Sequence, residues 1–208
     1  PYLSHEMILP MENYHPDYVR LRLFAGQGIG SQLAEKHTGR SSVETEGFDP
    51  CVVPMLIDHK DDEVIVDSKK ICEYLEHQIP APPLMPETLA VEIGREVDII
   101  DRAPHPGILY GFHPDSDRRP EMTKDRMKGI HDRKITILEN NLVTNADDDG
   151  LVRAYRAKIS KEKAGKMLAL DPECQRAVHK EFEHIVAKLE IKLNRTGGTW
   201  FFGETYTF

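Results

Sequence analysis

Apolar residues in the second half of the chain recur at three- and four-residue steps. Leu89, Ile93, Val97 and Ile100 form one such series, and Val178, Phe182, Ile185, Leu189 and Leu193 form another. That spacing puts the apolar side chains on one face of a helix. Shorter series cover residues 123–142 and 151–168. Asp147-Asp148-Asp149-Gly150 reads as a turn between them, and Asp171-Pro172 as the start of the last long helix. The second half therefore predicts a helical bundle, with the intervening charges as solvated faces. The first half has a different pattern. Val52-Val53-Pro54-Met55-Leu56-Ile57-Asp58 is an apolar run, followed after a short charged turn by Val64-Ile65-Val66 and then by Asp67-Ser68 and a helical stretch with Ile71, Cys72 and Leu75 on one face. The expected order is strand, turn, strand, helix. Pro54 has no N–H to give to a sheet, so it belongs at a strand start or edge, where exposed backbone is open to a ligand. The helix opening at Asp67-Ser68 has free N–H groups in its first turn, a place suited to a carboxylate. Prolines 80, 82, 83 and 86 then interrupt helix formation and mark an extended linker.

Composition narrows the class. With 208 residues, 39% apolar and 30% charged, the chain is long enough for one large or two small cored domains. A net charge of -8, with lysines and arginines interspersed among acids, opposes binding to nucleic acid. No apolar run approaches the roughly 20 residues that cross a bilayer, and no export signal is evident, so a cytoplasmic location without membrane partners is expected. Cys51, Cys72 and Cys174 lack paired spacing. They are expected to be reduced thiols, with Cys72 a small buried residue of its helix and Cys51 a packing residue just before the first strand. Ten histidines are present, but His179 and His184 are five apart and diverge around a helix, while His105 and His113 sit in proline-punctuated segments. No metal is expected. Gly26-Gln27-Gly28-Ile29-Gly30 lacks the strand before it and the Lys-Ser or Lys-Thr after it that a phosphate loop needs. The polar stretch from Phe24 to Gly47 reads as a long surface connection.

The cluster of Val53-Pro54 with Asp67-Ser68 resembles the glutathione site of the glutathione S-transferase superfamily. In that family a cis proline after an apolar residue presents backbone to the cysteinyl part of glutathione, and an acidic-Ser pair holds its γ-glutamyl end. The resemblance gives Val53 and Pro54 the first role and Asp67 and Ser68 the second. It implies a thioredoxin-like domain over residues 1–79, a linker at 80–86 and an all-helical transferase-type domain over 87–208. Tyr2 to Leu9 resembles the second strand of that fold. The first strand and first helix, which carry the Ser, Cys or Tyr that stabilises the glutathione thiolate, would then precede Pro1, and the catalytic residue is left unassigned. Thr196 to Phe208 resembles the loop that leads into a buried helix, with Thr207 as its cap.

Within the superfamily, Asn13 to Leu23, Ser41 to Pro50, Leu109-Tyr110-Gly111 and Asp115 to Glu121 resemble the 2,5-dichlorohydroquinone reductive dechlorinases. That resemblance implies removal of chloride from a chlorinated hydroquinone at the expense of glutathione, and a homodimer. The aromatic substrate would lie between the domains. Tyr110, His105 and Arg118 or Arg119 are candidates for its wall, because Ala103-Pro104-His105-Pro106-Gly107 turns the chain near the expected cleft. An arginine would attract a phenolate and a tyrosine would stack on the ring or hydrogen-bond it. A different transferase or ether-cleaving activity on aromatic compounds, and a non-catalytic binding or dimerisation module, remain as alternatives.

Overall fold

The computed structural model describes Leu3, residues 11–29 and residues 32–207. Apart from Leu3, the strand expected over Tyr2 to Leu9 lies outside these residues, as do Gly30 of the glycine-rich loop and Phe208. The described chain is mostly helical, with one small two-stranded antiparallel sheet. Among the described residues no helix is long and apolar enough to cross a membrane.

The strand, turn, strand, helix order expected around Pro54 is present. Strand β1 (Met55–Asp58) pairs with β2 (Glu63–Val66), Met55 opposite Val66 and Asp58 opposite Glu63. The Val53–Pro54 peptide, just before β1, is cis. Helix α3 (Ser68–Gln78) follows β2 directly, capped by Asp67, whose side chain accepts from the N–H groups of Lys69 and Lys70. Residues 79–89 carry the prolines and no helix or strand.

Beyond them the bundle comprises α4 (Ala90–Asp101), α5 (His105–Tyr110), α6 (Glu121–Lys128), α7 (Ile130–Thr144), α8 (Asp149–Leu170) and α9 (Pro172–Thr196). The single helix expected over 123–142 is two, α6 and α7, with the break at Gly129, a residue that supports helix interiors poorly. Asp148 and Asp171 cap α8 and α9, each carboxylate accepting first-turn N–H groups, and α9 stops at Gly197 in the left-handed region.

Helix α8 runs through the centre. Its Leu151, Ala154, Tyr155 and Ile159 pack with Leu138 of α7, Tyr14, Cys51 and Val19 of helix α1 (Pro16–Ala25). This cluster draws on residues from both sides of the proline-rich stretch. The carbonyl of Tyr14 joins them, accepting from the Tyr155 hydroxyl at 2.8 Å and from Asn141 Nδ2 at 2.9 Å. Burial raises the pKa of both tyrosines, Tyr14 and Tyr155, so they stay neutral.

The stretch from Phe24 to Gly47 differs from the surface connection expected of it. It carries a short helix α2 (Val43–Glu46) and a parallel bridge between Leu33 and Phe48, and it buries Ala34, Ser42 and Glu46. Some of its polar groups pair internally, although Ser42 Oγ and Glu46 Oε2 are buried without a hydrogen-bond partner among the described residues. Glu46 Oε1 accepts from the Thr38 backbone N–H at 2.8 Å and from the Thr38 hydroxyl. Hydropathy alone reads such a segment as exposed, because internal pairing leaves no mark on composition.

Candidate functional site

A cleft of about 570 Å3 opens where the segment before β1, the start of α3, helix α5, the start of α7 and the middle of α8 meet. Val53, Pro54, Asp67, Ser68, His105 and Tyr110 all border it. Six of the eight residues picked out from sequence therefore come together on one cavity, across up to 57 residues of chain.

The first wall is exposed backbone. Val53 is 55% exposed, and among the described residues its N–H and C=O have no hydrogen-bond partner. The carbonyl of Pro54 is taken by Arg22 Nη1. At the helix end the expectation of several free N–H groups needs correction. Asp67 itself occupies those of Lys69 and Lys70, at 3.0 and 3.2 Å. The N–H and hydroxyl of Ser68 remain without partners among the described residues. Asp67 holds φ 80°, an uncommon conformation for a residue with a side chain and one found at sites where geometry is over-determined.

On the opposite side, His105 is fixed at both ring nitrogens. Its Nδ1 lies 3.1 Å from the Ala103 carbonyl and so must donate, and its Nε2 meets the Ser41 hydroxyl at 3.1 Å. Tyr110 packs beside His131, ring centres 5.6 Å apart, with Lys134 Nζ 4.1 Å from its own ring centre. Arg118 and Arg119 are not on this cleft. After α5 the chain turns away, held by Arg176 of α9 on Asp115. Arg119 forks onto Asp117, holding that carboxyl down at about 2, and Arg118 borders a separate hollow beside His113.

The floor is ionic, and the sequence reading missed it by treating the charges of the bundle as solvated. Lys158 lies 2.8 Å from Asp49 and 3.1 Å from Glu162; Lys161 is 3.4 Å from Asp49. From α7, His131 Nδ1 meets Glu162 at 2.8 Å and Lys134 stands 3.4 Å from the same carboxylate. All six residues are buried. Positions 158, 161 and 162 share a face of α8, as 131 and 134 share one of α7. Burial alone would raise the Asp49 carboxyl, but Lys158 and Lys161 outweigh it and hold it below the usual range. Glu162 is pulled far down in the same way, against burial, by Lys158, His131 and Lys134. Lys158 is correspondingly held well above the ordinary lysine value by Asp49 and Glu162. A signal was available in the sequence. Ala154, Ala157, Gly165 and Ala169 surround these charges with small residues, which marks α8 as a helix packed on most sides.

Two histidines complete the floor. His37, under burial and the nearby Lys161, has its pKa pushed down to about 4 and is neutral. It packs with His131 against α8 at Gly165, where a Cβ would stand 2.6 Å from His37 Cδ2 and 3.1 Å from His131 Cε1. Cys51 borders the cleft, but burial and the adjacent Asp49 push its thiol far up, so it offers no thiolate. Cys72 is half-buried on α3 instead of fully buried, and Cys174 is exposed; all three are free. Among the described residues no group of three or more His, Cys, Asp or Glu side chains is arranged to hold a metal.

A concave site with apolar walls and a few convergent polar groups is the form taken by small-molecule sites. No protein-family model and no solved structure matches the chain. Two proteins from two strains of Sphingobium indicum do, each named 2,5-dichlorohydroquinone reductive dechlorinase. Each is 38% identical over 208 aligned residues, covering 98% of this chain and 60% of the relative. The chain is thus similar over nearly its whole length to these dechlorinases, as the sequence resemblance implied, and it spans 60% of their length.

Proposed function

We propose that the chain forms the glutathione- and substrate-binding part of a reductive dechlorinase acting on chlorinated hydroquinones. In this reading residues 1–79 are a thioredoxin-like unit, 80–86 the linker and 87–208 a transferase-type helical domain. The observation that supports it is the opening of Val53 and Ser68 onto one cleft with unpaired backbone and hydroxyl groups, in a chain similar over nearly its whole length to proteins named for that reaction.

The residues fit a tripeptide thiol. The Val53 N–H and C=O would bind its central residue, and the Ser68 N–H and hydroxyl its terminal carboxylate. Glutathione, when bound, supplies the thiols: two of them are oxidised to a disulfide as chlorine leaves as chloride and hydrogen replaces it on the ring. The protein's part is to fix the ring against the thiol and to keep both out of bulk water. Tyr110 and His105 would form the wall against which the ring rests, with His105 held rigid by its two hydrogen bonds.

The tests are direct. The protein should be retained on immobilised glutathione, and the whole enzyme of which it is the binding part should release chloride from 2,5-dichlorohydroquinone only when glutathione is present. Retention without chloride release would favour another transferase or ether-cleaving activity. A folded protein that is not retained refutes the cofactor assignment and the enzyme reading with it.

A further inference from the structure

We infer that Lys134 and Lys161 receive the ionised hydroxyl of the aromatic substrate at the floor of the cleft. This rests on the proposed function and adds an orientation to it: the oxygen of the ring points down into the ionic floor, away from the thiol site at Val53 and Ser68.

Charge and hydrogen bonding carry the inference. Three buried lysines face two buried carboxylates here. Lys158 is fully engaged, with both carboxylates at 2.8 and 3.1 Å. Lys134 and Lys161 each see one carboxylate at 3.4 Å, beyond the usual N–H···O range, and neither makes a hydrogen bond among the described residues. Buried ammonium groups with donors left over are costly, and an anion entering the cleft would relieve both. His131 donates from Nδ1 to Glu162, which leaves its Nε2, buried and unpartnered among the described residues, as an acceptor for the proton that the hydroxyl gives up.

The surroundings select the kind of anion. Lys134 sits over the Tyr110 ring, and Leu109 and Ile130 border the same space. An inorganic anion would answer the charge and leave these apolar surfaces uncovered. A phenolate answers both, its oxygen on the ammonium groups and its ring against Tyr110. A cationic environment also favours the ionised hydroxyl over the neutral one, which prepares a hydroquinone for loss of its proton.

The test uses 4-nitrophenol, whose phenolate has its own absorption band, beside 4-nitroanisole, the same ring with a methylated oxygen. The intact protein should bind the phenol at least about tenfold more tightly than the ether, the difference expected of one hydrogen bond to a charged group. Near neutral pH the bound phenol should show a larger phenolate fraction than the free one. Lys134→Met and Lys161→Met should each lose about tenfold in affinity for the phenol and nothing for the ether, and Lys134→Arg should retain the phenol. Equal binding of the two ligands by unaltered protein overturns the inference, and needs no variant to fold. Displacement of the phenol by inorganic phosphate at comparable concentration overturns it too, since the floor would then be a general anion site. Retention on glutathione, measured in parallel, reports on the Val53 and Ser68 wall alone. Its loss with phenolate binding intact would refute the thiol assignment and not the floor.

Discussion

The two sides of the cleft are built on opposite principles. The wall at Val53 and Ser68 is exposed and offers backbone groups that the protein leaves unpaired. The floor at Asp49, Lys158 and Glu162 is buried, and its groups are paired almost to completion. A wall of the first kind costs the fold little and can be altered without harm to it. A floor of the second kind is part of the core, because α8 carries the ion pairs on the same buried helix as Leu151 and Tyr155. Binding and stability should therefore separate on one side of the cleft and be coupled on the other.

Lys158→Ala should separate the two sides most sharply. It leaves Asp49 and Glu162 buried beside a missing partner, and loss of about 3 to 5 kcal/mol of stability is expected. A denaturant midpoint unchanged from the parent would show that the floor is not structural. Acid should act on the same side. His37 is held neutral in the fold, with its pKa lowered from 6.5 to about 4, so the unfolded chain takes up the proton first. Stability should fall by on the order of 2 to 3 kcal/mol as pH drops from 6.5 towards 4. Asp49 and Glu162, whose pKa values are also lowered, add losses at still lower pH. His37→Asn should flatten the upper part of that profile, and a slope that survives the substitution would assign the effect elsewhere.

The exposed wall should behave in the converse way. Ser68→Ala should weaken glutathione binding by about 1.5 kcal/mol, the worth of one hydrogen bond to a charged group, with no change in thermal midpoint. Unaltered affinity in calorimetry would remove Ser68 from the site. The smallest effect belongs to a residue on neither side. Arg119→Ala breaks a partly exposed fork on Asp117 and should cost about 0.5 kcal/mol of stability or less, leaving ligand affinity in the cleft intact.

The same contrast explains what could be read from the chain alone. Val53-Pro54 and Asp67-Ser68 were legible because each is a local pattern with a local consequence: a proline that cannot join a ladder, and an aspartate that starts a helix. The bundle helices were legible through their apolar spacing and the start of α9 through Asp171, whereas Asp149 and Gly150, which read as part of a turn, already belong to α8. The floor was not. Asp49 meets Lys158 across 109 residues, and nothing in the sequence near either announces the other. Arg118 and Arg119 offer charge after a turn, yet Arg176 of α9 anchors that loop through Asp115, and Arg119 spends its charge on Asp117 within the loop. The lysines that face the cleft instead sit inside helices, where a charge is ordinarily read as facing water. The burial within Phe24 to Gly47 is hidden for a related reason, since Glu46 Oε1 pairs with Thr38 out of sight of any hydropathy scale.

Gly165 shows how fine the tolerance of such a floor is. It is neutral, has no side chain and makes no ion pair, yet two imidazoles lie against its bare Cα. The shape of the cleft floor is therefore moulded by a missing methyl group. Variation that enlarged this one position would press on both rings together and disturb the His131–Glu162 contact, reducing the depth of the cleft without altering any ionisable residue.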